Sequence, residues 1–165
     1  MTEAVKVKFV ARQAILDRNE NVYAYELLYR NSNDNFFPAN VSDDAATARL
    51  FFDSLLFYGI EDLANNKKLF INLSTRSILS ELPKLISPDN IVLEIIERSD
   101  RLDEVLPLVE KLMKNNYVFA LDDYDGDPKW NNLLQKAKYI KLEVEENIEH
   151  TLNQVSFLKE KYPDK

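Results

Sequence analysis

Short apolar runs of strand-forming residues alternate with runs of helical periodicity through most of this chain, and that cadence restricts the fold more than any other feature. Residues 69–73, 91–96, 117–121 and 139–142 read as strands, and residues 74–82, 102–115, 128–137 and 147–161 as helices. In the second helix Leu102, Val105, Leu106, Val109 and Leu112 fall at helical spacing. Upstream, residues 6–16 and 22–30 form a hairpin across the polar turn 17–21, and Ser42-Asp43-Asp44 offers N-cap oxygens to a helix reaching about Tyr58. Strand and helix in turn at this pitch make βα units and a parallel sheet. The expected architecture is therefore α/β with six strands, the first antiparallel to a largely parallel remainder, and helices outside.

Bulk properties remove several classes of function. A chain of 165 residues, 45% apolar, suits one domain with a sizeable core. A formal charge of -7 argues against a phosphate-binding face for DNA or RNA, which needs clustered Lys and Arg. No run of ~18 apolar residues is present to span a bilayer. The start Met1-Thr2-Glu3-Ala4 lacks the basic flank and apolar stretch of a signal peptide. The sequence has no cysteine, which excludes thiolate metal sites and is consistent with a cytoplasmic location.

The polar residues within the apolar runs carry the functional information. Glu26 lies inside Val22–Arg30, Asn72 inside residues 69–73 and Glu94 inside residues 91–96, with Glu97 just after. Asp122 and Asp123 end residues 117–121, and Lys141 lies inside residues 139–142. Each of five successive strands thus carries a polar group at or near its C-terminal end, the face where a parallel barrel builds its active sites. Carboxylates in apolar strands are costly unless paired or bound to a cation. An all-oxygen donor set suits Mg²⁺ or Mn²⁺ rather than Zn²⁺. The alternative is internal ion pairing, either Glu26 with Arg30 on the same strand face or an acid with Lys141.

These segments resemble a known family. Tyr25-Glu26-Leu27-Leu28-Tyr29-Arg30 is similar to the Glu-Ala-Leu-Leu-Arg signature of the EAL-type cyclic di-GMP phosphodiesterases. Ile71-Asn72-Leu73-Ser74, Leu93-Glu94-Ile95-Ile96-Glu97, Ala120-Leu121-Asp122-Asp123 and Ile140-Lys141-Leu142-Glu143 resemble its later motifs in order and spacing. Glu26-Leu27-Leu28 in place of Glu-Ala-Leu, with Ala11-Arg12-Gln13 upstream and Asp43-Asp44-Ala45-Ala46-Thr47 after, looks most like the branch whose EAL domain is usually followed by an HDOD domain. The resemblance implies a TIM-like (β/α) barrel with its first strand antiparallel, a two-metal Mg²⁺ or Mn²⁺ site and cyclic di-GMP as ligand. It implies that Glu26, Asn72, Glu94 and Asp122 hold the first metal and that Asp123 helps hold the second. Lys141 would position the attacking water and Glu97 would brace the loop after Asp123. Gln13, Leu28 and Arg30 would contact the dinucleotide.

The chain also departs from that pattern. The family's Asp-Phe-Gly-Thr-Gly loop is replaced by Asp123-Tyr124-Asp125-Gly126-Asp127-Pro128, with one Gly fewer, two added acids and a Pro. Leu27 stands where the signature has alanine. The 165 residues fall short of the ~250 of a complete barrel, and no residue here matches the family's later catalytic glutamate and ligand-contacting glutamine. The expectation is thus an EAL-like domain over residues 1–165 that lacks the last strands of the barrel. It is a degenerate signalling module that binds cyclic di-GMP or a protein partner, and self-associates through its open edge. The alternative is an active phosphodiesterase releasing the linear dinucleotide.

Overall fold

Alternation of side chains along each strand organises this molecule into two faces of one sheet. The computed structural model describes residues 9–30, 55, 59–95, 101–144, 146 and 148–165. Strand β1 (Phe9–Leu16) turns back through residues 17–21 into β2 (Val22–Arg30). The turn is held by Asp17 Oδ1, which accepts from the backbone N–H groups of Asn19 and Asn21 at 2.8 and 3.0 Å. Helix α1 (Ile60–Ala64), strand β3 (Lys68–Leu73), helix α2 (Thr75–Leu79) and strand β4 (Ile91–Ile95) follow. Next come α3 (Leu102–Met113), β5 (Val118–Leu121), α4 (Asn131–Lys136), β6 (Tyr139–Ile140) and α5 (Ile148–Lys161). The six strands lie in chain order; β1 is antiparallel to β2, and every later pair is parallel. This is a half-barrel sheet, as the strand–helix cadence implies.

The outward residues of the strands, among them Leu27, Leu69, Ile71, Leu93, Phe119 and Leu121, form one buried cluster with the helices. Helix α3 contributes Val105, Val109 and Leu112, spaced so that one stripe faces the sheet. The inward residues Ala24, Phe70, Val92 and Ala120 form a second, smaller cluster backed by Ile15, Val118 and Tyr139. Tyr139 closes it by packing 5.3 Å from the Phe70 ring and sharing a 2.6 Å hydroxyl contact with Tyr23.

Several boundaries differ from the sequence expectation. Ser74 caps α2 by accepting from Ser77 N–H at 3.2 Å, but the helix stops at Leu79 instead of running through residue 82. Glu81 takes a left-handed φ of 57°, and Leu82–Leu85 continues as a 3-10 turn with Pro83 in its first positions, where the missing N–H costs nothing. Residues 128–137 likewise divide into a 3-10 turn, Pro128–Trp130, and α4. The short α1 was not expected. Most of the helix expected over residues 42–58 lies outside the described residues, although Leu55 is helical and buried.

Candidate functional site

The site is one pleat above the inner apolar cluster. On five strands an inward apolar residue is followed two positions later by a polar one: Ala24 and Glu26, Phe70 and Asn72, Val92 and Glu94, Ala120 and Asp122, Tyr139 and Lys141. A period of two puts both members of each pair on the same face. Register then sets them side by side. Asn72 is opposite Glu94, Glu94 opposite Ala120, and Ala120 opposite Tyr139. Beyond the paired stretch the backbone stays in step, because Asp122 N–H donates to Ile95 O and Lys141 N–H to Leu121 O, both at 2.9 Å.

The side chains meet around one ammonium. Lys141 Nζ donates to Glu26 Oε2 at 3.0 Å and lies 2.8 Å from Glu94 Oε1 and 2.5 Å from Asp122 Oδ1. The last two are ion pairs by distance, and neither oxygen has a further hydrogen-bond partner. Asn72 Nδ2 donates to Glu26 Oε1 at 2.9 Å, which leaves Asn72 Oδ1 buried and unpartnered; Glu94 Oε2 is in the same condition. Glu94 has no exposed surface. Burial pushes its carboxyl up to about 8, Lys141 opposes that rise, and the charges of Glu26 and Asp122 add to it. Burial by itself would lower the Lys141 ammonium, but the charge of Glu94 and its contact with Asp122 outweigh it and hold the pKa well above the usual lysine range. The ion-pair alternative left open by the sequence is therefore realised for Lys141.

The donor chemistry nevertheless fits a hard divalent cation. Three carboxylates and one amide offer only oxygen toward such an ion, and orphaned buried oxygens remain on Glu94 and Asn72. Their present spacing is that of an ammonium cluster: among the described residues no group of three acids or histidines stands where it could hold a metal ion.

Other expected site residues are placed around this centre. Gln13 is exposed on β1 directly opposite Glu26, and hence on the same face. Leu28 is half-buried two residues beyond Glu26. Arg30 ends β2 opposite Phe9, its side chain outside the described residues, and Glu97 also lies outside them. Asp123 is exposed, with a left-handed φ of 44° that turns the chain away from Asp122.

The rebuilt loop uses its added acids internally. Asp125 Oδ1 accepts from Asp127 N–H at 2.9 Å and from the Trp130 indole N–H at 3.0 Å. Asp127 Oδ1 accepts from Lys129 N–H at 2.8 Å and so caps the turn that begins at Pro128. Tyr124 N–H donates to Lys141 O at 3.0 Å, which joins the loop to the backbone of the central lysine. These roles are not foreseen from the sequence, although Asp127-Pro128 is a cap signal; Trp130 itself is fully buried.

No protein-family model matches the sequence. Among curated proteins it is 32% identical over 136 residues to the cyclic di-GMP phosphodiesterase CdgJ of Vibrio cholerae serotype O1, covering 82% of this chain and 32% of the relative. It is 40% identical over 129 residues to YuxH of Bacillus subtilis strain 168, an uncharacterized protein, covering 78% of this chain and 31% of the relative. The chain thus spans about a third of the length of these curated relatives. Among solved structures, the PaMucR phosphodiesterase in complex with cyclic di-GMP superposes with a TM-score of 0.69 at 17% identity, over 93% of this chain and 80% of that one. A manganese and cyclic di-GMP complex of Klebsiella pneumoniae BlrP1 gives 0.62 at 20% identity, over 93% of this chain and 47% of that one. With its antiparallel first strand and parallel remainder, the half-barrel thus has the fold of solved EAL enzymes such as Bd1971, bound to cAMP and cyclic di-GMP (TM-score 0.64 at 17% identity, over 93% of this chain and 52% of that one), and the chain resembles the EAL-type family.

Proposed function

We propose that this chain is an EAL-type signalling module that binds cyclic di-GMP over the acid cluster with the help of a divalent cation, and that the 165-residue chain does not turn it over. The observation that carries the reading is the convergence of Glu26, Asn72, Glu94 and Asp122, from four parallel strands, on one point above an apolar floor. Such a cluster is costly without a cation, and the relatives solved with this fold hold Mn²⁺ and cyclic di-GMP, or cyclic di-GMP. In this reading Glu26, Asn72, Glu94 and Asp122 hold a first Mg²⁺ or Mn²⁺, and Asp123 helps hold a second. Ions held there would supply Lewis-acid chemistry, lowering the pKa of water and stabilising charge on phosphodiester oxygens. The chain's own groups do the rest. Gln13, Leu28 and Arg30 contact the dinucleotide from the β1–β2 side, Glu97 braces the loop after Asp123, and the Lys141 ammonium orients water at the phosphodiester. Motif wording at residues 11–13 and 43–47 further assigns the chain to the HDOD-associated branch.

Turnover is expected to fail because the site is reached by water at Lys141. The Lys141 side chain is 29% exposed, and water there raises the local dielectric and weakens every charge interaction on which the reaction depends. The loop after Asp123 is also committed to its own hydrogen bonds through Asp125 and Asp127. The active-enzyme reading is favoured by one observation, that the acids and Lys141 are all present together. Calorimetric titration of cyclic di-GMP in the presence of Mn²⁺ should show binding that Glu26→Ala abolishes, while chromatography after long incubation shows no linear dinucleotide. Linear product that disappears in Glu26→Ala would establish the enzyme instead, and no binding at all would remove both readings.

A further inference from the structure

Lys141 stands at the centre of the acid cluster rather than at its rim. Its Nζ is within 3.0 Å of Glu26, 2.8 Å of Glu94 and 2.5 Å of Asp122, so one ammonium touches carboxylates from three separate strands. A lysine ammonium has three protons to share, and each of its neighbours here is a carboxylate. The cluster still has demand the ammonium does not meet, since Glu94 Oε2 and Asn72 Oδ1 are buried with no hydrogen-bond partner. Its oxygens are spaced around an ammonium and not around a metal ion. The site thus fits one cation by geometry and another by donor chemistry.

Resting on the metal-dependent reading above, we infer that Lys141 is a tethered cation that fills the cation position of the metal-free protein, and that a divalent ion enters by displacing it. Two cations cannot share the same three oxygens at contact distance without strong mutual repulsion. The backbone of Lys141 is fixed, its N–H bonded to Leu121 O at 2.9 Å and its carbonyl to Tyr124 N–H at 3.0 Å. Its four-carbon stem is not, and the side chain's 29% exposure gives the head group a route to water. Displacement frees Glu94 and Asp122 for the ion and leaves the ammonium available near the ligand. Without metal, the same ammonium keeps mutually repelling carboxylates together, so the fold does not depend on the ion.

The test uses the full chain and Mn²⁺ alone. Lys141→Met is expected to melt at a lower temperature without metal, because the carboxylates lose their counter-charge. It is expected to bind Mn²⁺ more tightly than the unaltered chain by about tenfold, within the range usual for coupled binding. In the unaltered chain, acetylation of Lys141 followed by peptide mass spectrometry should accelerate as Mn²⁺ saturates the site. The labelling decides alone if Lys141→Met does not fold. The inference is overturned if Mn²⁺ binds while Lys141 labelling stays constant or slows, or if folded Lys141→Met binds no more tightly. Those results leave the metal-dependent reading intact, whereas absence of Mn²⁺ binding in both proteins removes it along with this one.

Discussion

At Glu94 a carboxylate without exposed surface faces two other carboxylates, one ammonium and an amide that donates elsewhere. Because burial raises its pKa from 4.5 to about 8, the folded metal-free protein holds a proton that the unfolded chain has released across that window. Where the unfolded state binds fewer protons, stability falls as pH rises. Glu94 therefore contributes fully below about pH 4.5, and its contribution is lost as pH rises toward 8. Lys141 keeps its charge throughout, since its own pKa is raised. Urea unfolding in the presence of a chelator should show this decline, and Glu94→Gln should flatten it. A slope unchanged in Glu94→Gln would assign the pH dependence to other groups.

At the scale of elements, the loop from Asp123 to Trp130 replaces a glycine-rich turn with a set of side-chain caps. Asp125 ties the loop to the buried Trp130 indole, and Asp127 starts the 3-10 turn ahead of α4. Trp130→Ala is expected to cost about 3–5 kcal/mol, as for other buried aromatic truncations. Asp125→Ala should cost roughly 1–3 kcal/mol, because it leaves a buried indole N–H unpaired. Chemical denaturation of both variants checks the order. Equal costs would mean that Asp125 accounts for the whole anchoring of Trp130.

Over the whole molecule, the half-barrel sheet has β1 at one edge and the two-residue β6 at the other among the described strands. On α5, Ile148 and Leu152 stand four residues apart and are 61% and 57% exposed, and Val144 ahead of the helix is 72% exposed. Exposed apolar side chains gathered on one surface invite contact with another chain. Sedimentation from micromolar to millimolar concentration should show mass rising with concentration, and Leu152→Glu should reduce it. A monomer across that range would mean that these apolar side chains do not mediate self-association.

Much of this was legible in the sequence because a strand's side-chain period is two. Apolar runs interrupted at Glu26, Asn72, Glu94, Asp122 and Lys141 gave the α/β class, the order of strands and the members of the cluster. Boundaries were less legible, because helix ends depend on single residues such as Glu81 entering left-handed conformation, which local propensity does not set. What only the tertiary structure decided is how the polar groups are partnered. Sequence left a metal ion and an ion pair as alternatives for the acids. Register then brought Glu26, Glu94 and Asp122 within reach of one lysine over a hundred residues downstream of the first of them. Electrostatic partners are chosen by distance and burial in three dimensions, and neither is encoded in any single segment.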